Sequence, residues 1–346
     1  MLYIVYNPLS NNGSTASRIA DATKLVVGEK EYIDVTKVNL KEFYGRLKKK
    51  DKVVLCGGDG TIHHFVNELY GEPHRTSCYF MPLGSGNDFA RDMAADYEDG
   101  MIEITPYMDS LPTVRLYRKP KPETENIDRC KQEGASAQSD STKKFDTSLD
   151  NVKDQNTVSD NSTEELEVLT MHFVNNVAFG LDGYCCERSD ELKKKHPGKK
   201  INYSLIALGG ILGRYQNTNG KVRVDGVEKE YTNILMAPTM NGRYYGGGVM
   251  VAPGQDRKNM TGKLTLVVAH GMSPARVLTI LPQTYSGKHV KNTDYVEILE
   301  GYKISVEYDR PSPVQVDGET VLDVVRYEVE SCGVGPLFVD QLPRDN

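Results

Sequence analysis

An α/β domain with an open parallel sheet, followed by an all-β, sandwich-like domain, is the fold class predicted by this 346-residue sequence. Two patterns carry the prediction. Up to about residue 110, short apolar runs of β-type residues alternate with helix-like stretches, as in a parallel sheet with crossover helices. After Leu169, short alternating runs follow one another with few helical stretches between them, as in antiparallel sheet domains. The length suits two cores, since domains commonly hold about 100 to 200 residues.

The first run, 2–6, leads into Asn7, Pro8 and a polar loop ending at Gly13, and 14–27 reads as a helix with Ser14 near its cap. A second helix-like stretch covers 40–50. The run 53–56 ends in Gly57, Gly58, Asp59, Gly60 and Thr61, and 62–70 is again helix-like. The run 77–81 ends in Pro82, Leu83, Gly84, Ser85, Gly86, Asn87 and Asp88, with a helix over 87–95 that has Asp88 in its first turn. From 118 to 168 the sequence is polar and lacks periodicity. Such a segment buries too little surface to offset its ordering entropy and reads as a mobile insertion. Strand-like runs then occupy 170–173, 221–227, 232–237, 263–269, 295–300, 302–308 and 325–329, and only 201–215 and 274–286 look helical. The division expected is 1–110 for a nucleotide-binding α/β domain and 111–329 for a β domain carrying the 118–168 insertion. Apolar residues 337–339, in a 330–346 tail, could complete the first domain.

The formal charge of −6 argues against a general nucleic-acid binder, which needs a net basic surface. Cys56, Cys78, Cys130, Cys185, Cys186 and Cys332 show no C-x-x-C spacing for zinc or a redox dithiol, which suits free thiols in a reducing cytoplasm. No secretory leader is visible, and no apolar stretch approaches the ~20 residues that span a bilayer. A protein of this kind that acts on lipid is expected to be cytoplasmic and to visit the membrane transiently.

The segment 53–61 carries the most chemistry. Gly57, Gly58 and Gly60 can adopt backbone angles closed to other residues and let peptide N–H groups approach phosphate oxygens. A following helix adds its positive N-terminus. Asp59 repels bare phosphate, so an acid there makes sense if it works through Mg²⁺ or a held water. A lone Gly-Gly-Asp-Gly is about as often a plain tight turn. Here, however, three strand-like runs end in glycine-bearing loops, and in an open α/β sheet such loops converge on one ligand crevice. Together these features indicate a phosphotransferase.

Asn7-Pro8 with Gly13, Gly57-Gly58-Asp59-Gly60-Thr61, and the segment 82–88 resemble the diacylglycerol kinase catalytic-domain family, which includes bacterial lipid kinases and sphingosine kinases. Further matching stretches follow in the family's order at 175–182 (NNVAFGLD), at Gly246, Gly247 and Gly248 followed by Ala252-Pro253, at 287–290 (GKHV) and at 316–319 (VDGE). The resemblance covers nearly the whole chain apart from the insertion. It implies an NAD kinase-like first domain, ATP and Mg²⁺ as cofactors, and transfer of the γ-phosphate to a lipid hydroxyl, diacylglycerol giving phosphatidic acid. It places ATP against Asn7, Thr36, Gly57, Gly58, Asp59, Gly60, Thr61, Ile62, His63, Gly84, Ser85, Gly86, Asn87 and Asp88, with 57–63 and Ser85 at the phosphates and Thr36 near the nucleoside. Many members carry Thr where Ser85 stands, so the hydroxyl is kept. Asp59 is implied as a catalytic residue and Mg²⁺ ligand, and Glu319 as the general base for the acceptor hydroxyl. Other acceptors in view are a sphingoid lipid, phosphatidylglycerol or NAD, and the different-class alternative is a catalytically degenerate lipid- or nucleotide-binding regulator.

Two departures motivate that alternative. Many members place an acid pair before a glycine to support a structural Mg²⁺, where this chain reads Asn259-Met260-Thr261-Gly262 with Asp256 as the nearest substitute. An acid usual near the entrance to the second domain has no counterpart in Thr113-Val114-Arg115-Leu116-Tyr117. Asp317 reads equally as a turn residue or as an orienter of Glu319. Lys193, Lys194, Lys195, Lys199 and Lys200 before the apolar stretch 201–212 suit either a solvated helix end or contact with anionic lipid. Tyr244 and Tyr245 could line an acyl cleft or pack a sheet corner. His63 and His64 lack ligand spacing, so no zinc is expected. The partners expected are a lipid substrate at a membrane surface and no nucleic acid, with a homodimer left open.

Overall fold

The computed structural model describes residues 1–8, 10, 14–24, 26–73, 76–94, 100–120, 166–196, 199 and 201–335. The expected insertion, apart from its ends, Gly13 and the 336–346 part of the tail lie outside the described residues.

Strands β1 (Leu2–Tyr6), β2 (Lys30–Asp34), β3 (Lys52–Gly57) and β4 (Ser77–Pro82) run parallel in the order β2-β1-β3-β4, and the short β5 (Ile102–Glu103) pairs antiparallel with β4. The linking helices are α1 (Ser14–Ala22), α2 (Leu40–Gly45), α3 (Asp59–Leu69), α4 (Asp88–Asp92) and α5 (Thr105–Met108). Successive side chains of a strand face opposite ways, and β3 uses both faces. Val53 and Leu55 pack with Phe43 of α2 and Phe65 of α3, while Val54 and Cys56 pack with Ile19 of α1. All four are fully buried. Helices α1, α2 and α4 end earlier than their apolar patterns suggest, and α3 starts earlier, at Asp59, so that part of the glycine-rich segment forms its first turn.

The second half holds β6 (Thr113–Arg118), β7 (Glu167–His172), β8 (Asn176–Gly180), β9 (Thr218–Val224), β10 (Val227–Met240), β11 (Tyr244–Tyr245), β12 (Val249–Met250), β13 (Leu264–His270), β14 (Val296–Gly301), β15 (Lys303–Val316) and β16 (Glu319–Glu330). The main sheet is antiparallel in the order β14-β13-β10-β8-β15-β16-β6-β7. Strands β10 and β15 each pair with β9 at one end and with β8 at the other, so these four strands close a ring. Breaks in register along β10, β15 and β16 accompany this curling. The enclosed core includes the stacked rings of Phe179 and Tyr308, 4.3 Å apart, and of Phe179 and Tyr327, 5.4 Å apart. The result is a β-rich, sandwich-like domain.

Three local expectations are corrected. The expected strand 221–227 is cut by a turn at Asp225 (φ 48°) and Gly226 (φ 87°), so Val227 opens β10 instead. The helix-like stretch 201–215 is α7 (Tyr203–Gly209) followed by a wider π-type turn over Gly210–Arg214, which is kinked at Leu212 and Gly213 (φ 110°), and 274–286 is α8 (Pro274–Ile280) followed by 3₁₀ turns. A helix was also missed, α6 (Leu181–Lys195), whose sequence LDGYCCERSDELKKK has no sustained apolar stripe at helical period. Its docking is tertiary: a Cβ on Gly183 would sit 2.0 Å from the Pro313 carbonyl oxygen of β15, so only glycine lets the helix lie this close. Among the described residues no helix is long and apolar enough to cross a membrane.

Candidate active site

Parallel register places the ends of β1, β2, β3 and β4 in one row, since Tyr6 is paired with both Asp34 and Cys56, and Gly57 with Pro82. Asn7, Thr36, Gly57 and Leu83 follow in neighbouring positions along that row. The Gly57 carbonyl accepts the N–H groups of Leu83 (2.7 Å) and Gly84 (3.0 Å), and Arg18 of α1 donates to the Leu83 carbonyl at 3.1 Å. The second and third loops touch backbone to backbone. A Cβ on Gly84 would lie 2.5 Å from the Gly58 Cα and 2.8 Å from Asn87 Oδ1. Gly84→Ala is therefore expected to destabilise the protein by about 1–3 kcal/mol and to weaken nucleotide binding, as read by thermal shift with and without ATP. Unchanged binding would show that this close approach is dispensable.

Helix α3 leaves the N–H groups of its first turn without helical acceptors. Thr61 and Ile62 donate to the Gly58 carbonyl at 2.9 and 3.2 Å, so the free donors belong to the residues just before them. Ile62 itself is buried in the core and offers neither side chain nor N–H to a phosphate. Asn87 sits at φ 53° and closes the third loop through two side-chain bonds to Gly84, at 3.0 and 2.9 Å. Ser85 is exposed at the loop tip. Thr36 is turned to its own strand end, its N–H and hydroxyl both donating to Asp34 Oδ1. The Asn7 carbonyl accepts from Ser10, which shapes the first loop.

Asp59 has a duty that spacing did not reveal. Its Oδ2 accepts the Asp88 N–H at 3.0 Å and its Oδ1 the Phe89 N–H at 2.9 Å, so it caps α4 from the neighbouring loop. Asn175 Nδ2 reaches Oδ1 at 3.4 Å. Asp88 lies alongside, with Oδ2 accepting the Gly247 N–H at 2.8 Å, while Oδ1 is buried with no hydrogen-bond partner among the described residues. Burial, and secondarily the negative charge of Asp59, push the Asp88 carboxyl up to about 6. Both carboxylates face Gly86, where a Cβ would stand 3.1 Å from Asp59 Oδ2 and 3.7 Å from Asp88 Oδ2. The orphaned oxygen and the repulsion between the two acids fit a cation held against this pair. Mg²⁺ usually takes only one or two protein carboxylates and completes its shell with waters and phosphates. Among the described residues no group of three His, Cys, Asp or Glu side chains stands in a metal-binding arrangement.

The base candidate lies on the β15–β16 hairpin, whose two turn residues are Asp317 (φ 48°) and Gly318 (φ 94°). Asp317 is both turn residue and orienter. Its buried carboxylate accepts the N–H groups of Val174, Asn175 (2.7 Å) and Asn176 (3.0 Å), and His63 Nδ1 lies 2.9 Å away. The His63 imidazole is thus turned into the interior rather than toward phosphate, which corrects its expected contact. The adjacent His64 Nε2 lies 3.5 Å from Oε1 of the half-buried Glu319. His64 holds the Glu319 carboxyl below the usual range, and the charge of Lys193 on α6 acts in the same direction. Thr320 donates to Asp190 of α6 at 2.9 Å, which brings that helix beside the hairpin. Glu319 thus meets α3 at His64, five residues and roughly 7.5 Å along the helix axis from Asp59, taking 1.5 Å per residue.

Sequence reasoning missed Asp92, Asn175, Arg243 and Arg257. Buried Arg257 pairs through Nε with Asp92 (2.9 Å), donates to the Val174 carbonyl and to Asn175 Oδ1 (both 2.7 Å), and lies 4.6 Å from the centre of the Phe89 ring. Arg243 Nε reaches the other Asp92 oxygen at 2.6 Å. This network joins α4 to the loop before β8, and its one visible signal is the pair of arginines in an otherwise acid-poor stretch. The stretch considered as a substitute for a structural Mg²⁺ site is engaged in local bonds. Asp256 is exposed and accepts the Lys258 N–H, and Asn259 Oδ1 is taken by Thr261. Arg257, two residues before Asn259, is a buried permanent cation. Tyr245 is a packing residue, donating at 2.6 Å to Asp182, whose carboxyl burial pushes up to about 7.

Residues 1–107 match the diacylglycerol kinase catalytic domain, and residues 175–330 match the YegS C-terminal NAD kinase beta sandwich-like domain. A diacylglycerol kinase of Mycobacterium tuberculosis is 25% identical over 260 residues, spanning 75% of this chain and 68% of that protein. A diacylglycerol kinase of Bacillus subtilis is 40% identical over 53 residues, 15% of this chain and 18% of that one. In fold, the chain resembles the crystal structure of a diacylglycerol kinase from Bacillus anthracis, with a TM-score of 0.54, 17% identity and coverage of 95% of this chain and 93% of that one.

Proposed function

We propose that this chain, which belongs to the diacylglycerol kinase catalytic-domain family, is an ATP-dependent lipid kinase that transfers the γ-phosphate of ATP to a lipid hydroxyl, with diacylglycerol the acceptor and phosphatidic acid the product. The observation that carries this reading is the placement of Glu319 by His64 on the same helix whose first turn forms the glycine-rich loop. Phosphoryl transfer asks for little covalent chemistry from the protein and much positioning. The first-turn N–H groups of α3 and the loop 84–87 cradle the triphosphate, while Asp59 and Asp88 would hold Mg²⁺, which when bound supplies positive charge to the phosphate oxygens. Glu319, ionised at neutral pH, accepts the proton of the acceptor hydroxyl as its oxygen bonds to the γ-phosphorus and the bond to the bridging oxygen of ADP breaks.

The test is transfer of labelled γ-phosphate, with and without Mg²⁺, to mixed micelles of diacylglycerol, a sphingoid base or phosphatidylglycerol, and to NAD in solution. Labelled phosphatidic acid is the expected product. Asp59→Ala frees the loop that positions Asp88 and is expected to cost at least about 100-fold in turnover, with circular dichroism confirming that the variant folds. Label on NAD alone, or ATP binding without any turnover, would overturn the proposal in favour of a nucleotide kinase or a silent regulator.

A further inference from the structure

Helices α6 and α7, the turn over Gly210–Arg214 and α8 build one face outside the β domain. Its inner side is ordinary core, with Leu181, Ile206, Ile211, Val277 and Ile280 buried. The outer side is apolar too: Tyr203, Leu205, Leu208, Leu212, Leu278 and Tyr285 are exposed, Leu205 by 65% and Leu212 by 63%. Leu205 and Leu208, three residues apart on α7, lie on one side of that helix, and Leu212 is exposed on the turn that follows it. The border is cationic, with exposed Lys193, Lys194, Lys195, Lys199, Arg214 and Arg276. In a chain of net charge −6, no Asp or Glu occurs between Glu191 and Asp225, nor between Asp256 and Asp294. Acids on this face are thus confined to α6, which carries Asp182, bonded to Tyr245, Glu187, and Asp190 and Glu191, paired with Lys193 and Arg188.

An apolar centre bordered by cations, with α7, the turn after it and α8 free of acids, matches the profile of an anionic bilayer, with hydrocarbon beneath a plane of negative headgroups. We propose that this face docks peripherally on anionic membrane, a deepening that rests on the lipid-kinase reading for its purpose. The location serves that purpose. Lys193 is close enough to Glu319 for its charge to act there, and Asp190 on the same helix bonds Thr320. Docking by this face brings headgroup-level hydroxyls beside the base.

Co-sedimentation with vesicles of phosphatidylcholine alone, and of phosphatidylcholine mixed with phosphatidylserine, tests the proposal on the full chain. The protein is expected to prefer the anionic vesicles, with Leu205→Ser/Leu212→Ser weakening that binding at least about tenfold and Lys194→Glu/Lys195→Glu erasing the preference. Both variants should phosphorylate a short-chain, monomeric diacylglycerol within about twofold of the parent, because monomeric substrate needs no docking. Equal vesicle binding by parent and leucine variant would overturn the docking face, as would indifference to lipid charge. So would a self-associated parent that becomes monomeric in the leucine variant without ever binding vesicles, since a second copy would then cover the patch. Vesicle binding without phosphorylation of any lipid by the parent would instead reject the kinase reading and leave the surface intact.

Discussion

Glu319→Gln is expected to lower turnover by about 10²–10⁴-fold while ATP affinity stays nearly unchanged. The amide matches the carboxylate in shape and can still meet His64, but it cannot take a proton from the acceptor hydroxyl. The parent should also show an acidic limb in its pH–rate profile that falls below the ordinary range of a glutamate. His64 holds the carboxyl down, so the ionised base persists as pH drops. Removing that partner in His64→Ala is expected to shift the limb upward in pH, with a smaller loss at neutral pH than Glu319→Gln produces. Steady-state rates across pH for the three proteins provide the check. A Gln variant that keeps more than about a tenth of the parent rate would show that the proton leaves by another route.

Asp317→Ala is expected to be the most destabilising single change at the site, by about 3–5 kcal/mol. The carboxylate is fully buried and is the common acceptor for three successive backbone N–H groups and for His63. Truncation leaves all four donors buried and unpaired, and each buried orphan costs about 1–3 kcal/mol before relaxation. The melting temperature should fall by roughly 10 °C, and Asp317→Asn, which keeps one oxygen, should recover part of it. Activity should fall further than stability alone accounts for, because the turn that holds Glu319 is released. Differential scanning calorimetry decides the matter: a drop of less than about 2 °C in the alanine variant would mean that the hairpin is held elsewhere.

Part of this architecture is legible in the sequence. Alternating apolar runs and helical stretches marked the parallel sheet, because crossover connections demand that rhythm, and the short runs after Leu169 marked the β-rich half. Glycines after apolar runs marked loops that do meet at one edge, since parallel strands put all their carboxyl ends on the same side. Helix α6 was hidden for a physical reason. Its stability comes from one glycine lying against a strand carbonyl and from a few apolar contacts in its first turns, not from a stripe that repeats along its length.

The sequence by itself determined which chemistry was at hand: phosphate-approaching glycines, acids beside them, an acid in a tight turn, and leucines bordered by lysines. Only the tertiary structure decided the duties. Asp59 caps a helix across a loop, His63 and Asp317 meet over 254 positions of chain, and Arg257 sits as a buried cation paired with Asp92. Periodicity reports which face of an element is apolar, because burial acts on every residue of that face. It is silent about a single polar pair brought together by folding, whose energy depends on one distance and one orientation.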